Sequence, residues 1–215
     1  FSDTVNTGIY VLDPEVFRYI PKGKITDWSK DVFPQLLRKN DALYGCITEG
    51  YWTDVGTIEE YMRANRDYML GRVRLPRVGH QQGTDLWLEG DAEIAPDAQF
   101  IGPVFLGHGV KIKSGAIVHG PTAIRDYVVV DSRATIDRSI IWRNSYIGER
   151  AELRGAIVMR QCNIKSRAVL FEGVVVGDQT IINAGAVIGA NVKIWPSKEV
   201  DEGATISSSI IWGSQ

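Results

Sequence analysis

Asp54 is the residue whose surroundings first suggest chemistry. It stands in the run Glu49 to Thr57, EGYWTDVGT, between an aromatic pair and a glycine and just ahead of a Thr57-x-x-Glu60 pattern that caps a helix. A carboxylate held by a glycine turn, with Tyr51 and Trp52 restricting water, can ligate a magnesium ion bound to phosphate oxygens. The same spacing also suits an aspartate that only caps or turns. Asn6 and Gly8, in Val5-Asn6-Thr7-Gly8-Ile9-Tyr10, read on their own as turn residues. Cys46 and Cys162 form neither a disulfide framework nor a zinc pattern, which suits a reducing compartment, and both are expected to be buried small hydrophobes.

The elements that must position Asp54 follow from the first 75 residues. Val5 to Leu12 reads as a buried strand, Asp13-Pro14 opens a short helix to about Ile20, and Trp28 to Lys39 has helical spacing. Ala42 to Thr48 reads as a second strand, and Tyr61, Ala64, Tyr68 and Met69 give the helix after Thr57 one packed face. This is alternating α/β grammar, in which ligands bind at the carboxyl ends of strands, where Asp54 falls. Two or three strands cannot bury both of their faces alone, so residues 1–75 are expected to be the C-terminal part of a larger α/β domain. Residues 76–91, with Pro76, Gly79, Gly83 and Gly90, read as a linker.

Residues 92–215 follow a different rule. From Ile94 an apolar residue recurs every six residues, through Phe100, Leu106, Ile112, Val118, Ile124, Val130 and Ile136, and two residues before each the side chain is small. Five-residue steps end at Ile141, Val158 and Ile211, and all three fall on the same one of three faces. A period of six is neither helical nor a long alternation. It fits a short strand and a tight corner, three of which close one coil, with about seven coils stacking to roughly 33 Å at the inter-strand spacing. At i+1 on the tightened face the outward residues are Trp142, Met159, Gly177, Trp195 and Trp212. Such an apolar stripe is expected to dock against a second subunit or another domain.

Composition excludes several classes. At 215 residues, 44% hydrophobic and a formal charge of −2, the chain favours no particular partner. Lysine and arginine are scattered, which gives a nucleic-acid partner no support, and no apolar run approaches the ~20 residues of a membrane span. A cytoplasmic setting is expected.

Three motifs together carry a resemblance. Val5-Asn6-Thr7-Gly8-Ile9-Tyr10, Asp31-Val32-Phe33-Pro34 and Gly50-Tyr51-Trp52-Thr53-Asp54-Val55-Gly56-Thr57 resemble the C-terminal third of the sugar-nucleotide pyrophosphorylases. Their order and the hexapeptide repeat behind them resemble the mannose-1-phosphate guanylyltransferase branch. The resemblance implies a nucleotidyltransferase fragment followed by a left-handed parallel β-helix. It also implies that Asp54 is one of two Mg2+ ligands and that Asn6 and Gly8 line the pocket of the sugar-1-phosphate, which attacks a nucleoside triphosphate. The family's glycine-rich nucleotide loop, its first metal aspartate and its sugar-phosphate lysine have no counterpart here, so this chain alone is expected to be inactive. Mannose and GTP follow from the branch resemblance alone, and glucose-1-phosphate with dTTP, UTP or ATP stays open. Two other classes stay open as well: a hexapeptide acyltransferase using His108 or His119, and a non-catalytic regulatory paralogue.

Overall fold

The computed structural model describes residues 4–211. Its contacts divide the chain into two compact units, Phe1–Trp52 and Thr53–Gln215.

The first unit is built from short helical turns. Asp13 accepts a 2.9 Å bond from the Glu15 N–H and starts a 3-10 turn, Pro14–Tyr19. Asp27 caps the π-turn Trp28–Val32 in the same way through the Lys30 N–H at 2.8 Å. That turn runs into α1, Phe33–Arg38, where Pro34 is tolerated because a first-turn N–H has no intrahelical acceptor. Val16, Tyr19, Val32 and Leu36 close a small core. Tyr10 meets Phe33 edge-on, with ring centroids 5.0 Å apart.

The two strands expected here are absent. Val5 to Leu12 and Ala42 to Thr48 have no ladder partner among the described residues, and Ile9 is 78% exposed and Val11 fully so. An apolar β-branched run becomes a strand only when a neighbour accepts its N–H and C=O groups, and none is supplied within this unit. Cys46, expected to be buried, is exposed on the same stretch.

The second unit opens with α2, Ile58–Met69, and continues as a parallel β-solenoid. Residues 76–91, expected as a linker, already belong to it: β1 (His80–Gln82) pairs antiparallel with β2 (Leu86–Leu88). After β3 (Ala92–Ile94) and β4 (Gln99–Ile101), β5 (Val104–Leu106) lies parallel to β2. The three-strand cycle then runs to Thr205–Ile206, giving sheets of eight, seven and seven strands among the described residues. Gly79 explains how the chain enters: at φ +83 it passes so close that a Cβ would stand 2.3 Å from the Leu88 carbonyl oxygen.

Register confirms the six-residue beat. Leu106 lies beside Ile124, Ile124 beside Ile141 and Ile141 beside Val158, so the two shortened steps fall on successive strands of the eight-stranded sheet. Ile112, Ile136, Ile147, Leu153, Ile164, Leu170, Ile182 and Ile188 fill the interior and are almost wholly buried. At the tightened coils hydroxyls replace carbonyls as acceptors: Ser139 Oγ accepts from the Ala156 N–H at 3.0 Å, and Ser145 Oγ from the Cys162 N–H at 3.1 Å. The last shortened step differs from expectation. Ile210, not Ile211, bridges to Ile194 and packs on the core, whereas Ile211 is 52% exposed.

Corners use the left-handed region without always using glycine. Asn144, Arg150, Gln161, Arg167 and Gln179 have φ between 57° and 60°. Each such residue costs on the order of 1 kcal/mol. Corner N–H groups offset this by bonding to the coil before, as Gln161 does to the Arg143 carbonyl at 3.1 Å and Arg167 to the Glu149 carbonyl at 2.9 Å.

Candidate active site

Asp54 lies in a turn that its own helix clamps. Thr57 is the N-cap of α2, with extended φ and ψ, and its Oγ1 accepts from the Glu60 N–H at 3.1 Å. The Glu60 carboxylate accepts from the same hydroxyl at 2.9 Å through Oε2. Its other oxygen lies 3.7 Å from Arg63 Nη2, and that nitrogen donates to Thr53 Oγ1 at 3.2 Å. Thr53, Arg63, Glu60 and Thr57 therefore form a ring of polar contacts around Asp54, Val55 and Gly56. Spacing shows the Thr57-Glu60 half of this ring, and Glu60 with Arg63 is a visible i, i+3 pair. The contact from Arg63 back to Thr53 has no signature in the sequence.

The Asp54 carboxylate is exposed, with no hydrogen-bond or ion-pair partner among the described residues. A Cβ added at Gly56 would stand 3.6 Å from Asp54 Oδ2 and 3.7 Å from Glu60 Oε2, so two carboxylates approach the same glycine. Unpaired carboxylate oxygen at a helix N-terminus is a hard donor, and this suits a magnesium ion that keeps waters and phosphate oxygens as its other ligands. Among the described residues no group of three His, Cys, Asp or Glu converges to make an all-protein metal cage. Tyr51 and Trp52, expected to restrict water, are 41% and 46% exposed.

Asn6 and Gly8 belong to the first unit and form a local turn. The Gly8 N–H donates to Asn6 Oδ1 at 3.0 Å, Gly8 takes φ +75, and the Asn6 amide donates to the Tyr10 hydroxyl at 2.9 Å. A Cβ at Gly8 would meet nothing within 4 Å, so the turn's conformation, not crowding, asks for glycine.

The solenoid carries α2. Tyr68 and Met69 enclose a cavity of about 20 Å3 with Val78, Trp87, Pro103 and Phe105. Burial raises the Tyr61 phenol, which faces Trp142 and Arg125. Trp142, expected in the outward stripe, is thus half-buried beneath this chain's own helix, with its buried indole N–H turned toward the Tyr61 phenol. Met159 packs partly on the core and lines, with Trp142, Arg125, Asp126, Arg143 and Arg160, an open cleft of about 310 Å3. Trp195 is 42% exposed, and Trp212 lies outside the described residues.

The histidines sit apart along the repeat. His108 covers Gly90, where a Cβ would be 2.0 Å from its Nδ1, and His119 ends the strand Ile117–His119.

Comparison with known proteins matches the GMPPB C-terminal domain over residues 100–211 and the nucleotidyl transferase family over residues 1–70. A mannose-1-phosphate guanylyltransferase of Mycobacterium tuberculosis is 33% identical, over 64% of this chain and 38% of that protein. A UTP–glucose-1-phosphate uridylyltransferase of Synechocystis sp. is 30% identical, over 79% of this chain and 44% of that protein. A glucose-1-phosphate adenylyltransferase of Desulfitobacterium hafniense is 32% identical, over 89% of this chain and 52% of that protein. The chain thus spans about half, or less, of the length of these curated relatives.

Proposed function

Because the chain belongs to the family of the GMPPB C-terminal domain, with a nucleotidyl transferase segment ahead of the solenoid, we propose that it takes part in making a sugar nucleotide, GDP-mannose from mannose-1-phosphate and GTP. In that reaction a sugar-phosphate oxygen attacks the α-phosphorus of the triphosphate and pyrophosphate leaves in line. The observation that carries the reading is Asp54: an unpaired carboxylate held in a clamped turn, within a segment that matches the nucleotidyl transferase family. Two anions must meet, so positioning and charge neutralisation account for most of the rate. Bound Mg2+ would supply that neutralisation as a Lewis acid. Asp54 would hold one side of the ion, and Asn6 and Gly8 would line the sugar-phosphate pocket.

The glycine-rich nucleotide loop of the resemblance is not among these 215 residues, so the assay is pyrophosphate release by the full-length protein. Asp54→Ala is expected to lower kcat by well over tenfold, more than ~1.4 kcal/mol in barrier. Activity within tenfold of wild type would remove Asp54 as a metal ligand.

The uridylyltransferase and adenylyltransferase relatives favour a second reading, with glucose-1-phosphate as the acceptor and UTP or ATP as the donor. Pairing each sugar phosphate with each nucleotide in the same assay decides between them by kcat/KM. A cytoplasmic setting, where these soluble phosphates occur, belongs to this reading, as does self-association through the solenoid face that exposes Trp195. Light scattering of the full-length protein checks the association.

A further inference from the structure

The ring of contacts around Asp54 contains two side chains to which the reading above gives no role. Arg63 sits one turn inside α2, yet it reaches back ten residues to donate to Thr53 Oγ1 at 3.2 Å. Glu60 lies between, with one carboxylate oxygen on the Thr57 hydroxyl at 2.9 Å and the other 3.7 Å from Arg63. Both ends of the turn are thereby tied to one helix: Thr57 by the cap and Thr53 by the guanidinium. The carboxylate of Asp54 stands between the two ties.

Energetics argues against a mainly stabilising role for this arrangement. The Arg63 side chain is 50% exposed and that of Glu60 33%, and pairs this open to water contribute little to folding because solvent screens them. Fixing the direction of Asp54 needs only a rigid, well-aimed contact, and catalysis is far more sensitive to a small misplacement than folding is. The rigid planar guanidinium suits the task, since it loses less freedom on being held in place than a lysine ammonium on its flexible stem. The helix that bears Arg63 is itself seated on the solenoid through Tyr61, Tyr68 and Met69.

We propose that Arg63, braced by Glu60, is a positioning residue that fixes the Asp54 turn for its metal, through the bond to Thr53. This rests on the reading of Asp54 as a metal ligand, and the test separates the two. Mn2+ binding to the full-length protein is followed by electron paramagnetic resonance with inorganic pyrophosphate present, beside the Mg2+ concentration for half-maximal activity and the thermal midpoint. Arg63→Ala is expected to raise the Mn2+ dissociation constant and the Mg2+ requirement together, by about five- to tenfold, while the thermal midpoint moves by less than about 2 °C. Thr53→Val is expected to shift both in the same direction, and the double variant to be no worse than Arg63→Ala alone, because the bond between Arg63 and Thr53 is already lost in either single variant. Arg63→Lys is expected to recover only part of the loss.

If Asp54→Ala weakens Mn2+ binding but Arg63→Ala and Thr53→Val leave it within twofold of wild type, Arg63 does not position the turn and the reading of Asp54 stands. If Asp54→Ala itself leaves Mn2+ binding unchanged, the metal reading and the role of Arg63 fall together. If Arg63→Ala unfolds the protein, Thr53→Val, which keeps the helix intact, gives the deciding measurement.

Discussion

Cys162 shows how one side chain can be read twice. Its place in the sequence, two residues before an inward isoleucine, marks it as a small core residue, and in the structure it is 2% exposed and donates to the Gly177 carbonyl at 3.1 Å. Burial pushes its thiol up to about 11. The folded state therefore keeps the proton that an unfolded thiol releases near pH 8.5, so this contribution to stability is complete below that pH and fades as pH rises toward 11. By pH 10 the loss is expected to be about 2 kcal/mol, measured as an alkaline fall in denaturation midpoint that Cys162→Ala does not share. The phenol of Tyr146, hydrogen-bonded to Asp131 and pushed up to about 12, adds a loss of the same sign that begins near the unfolded phenol value of about 10. Asp54 was equally visible in the sequence as a candidate. Its clamp was not, because a ten-residue reach from Arg63 depends on how the turn folds back over the helix.

At the scale of elements, legibility followed periodicity. The six-residue beat located the solenoid because each inward position must be apolar for the stacked coils to close, and Ile164 is fully buried where that beat puts it. Ile164→Asp is expected to cost several kcal/mol by burying an unpaired carboxylate, and Lys165→Asp well under one. Chemical denaturation of the two variants checks this, and equal shifts would overturn the register. Thr57 was legible for a similar reason, since a cap is a local bond between near neighbours. The strands expected at Val5 to Leu12 and Ala42 to Thr48 failed because pairing is not local: their apolar runs specify a tendency, and a ladder requires a second chain segment. The β1–β2 pair was missed in the opposite sense. Its glycines and polar residues, His80, Gln81 and Gln82, read as linker, but Gly79 lets the backbone approach Leu88 and β2 supplies the ladder. Corners at Arg150, Gln161 and Arg167 carry no glycine signal, since their strain is offset by bonds to the neighbouring coil.

For the molecule as a whole, the solenoid supplies more than bulk. Its eight-stranded sheet seats α2, whose first turn carries the Asp54 loop, so a long rigid column stands behind a short piece of reactive chemistry. A column of stacked parallel strands also carries a hazard. Every coil offers the next one an unpaired row of N–H and C=O groups, and the first strand of such a stack is a template on which a stray chain could grow. On the eight-stranded sheet that row belongs to β2, and β1 closes it in the reverse direction with three exposed polar residues. The reversal makes β1 a poor seed, because a parallel newcomer finds neither the matching polarity nor an apolar strip to bury. Gly79→Val would force β1 off through its clash with the Leu88 carbonyl, and the uncovered edge is expected to nucleate fibrillar assemblies whose growth rises with protein concentration, followed by thioflavin fluorescence. The eight-stranded sheet that helps make a stiff support would then offer an amyloid-like edge, kept silent by three residues laid across it.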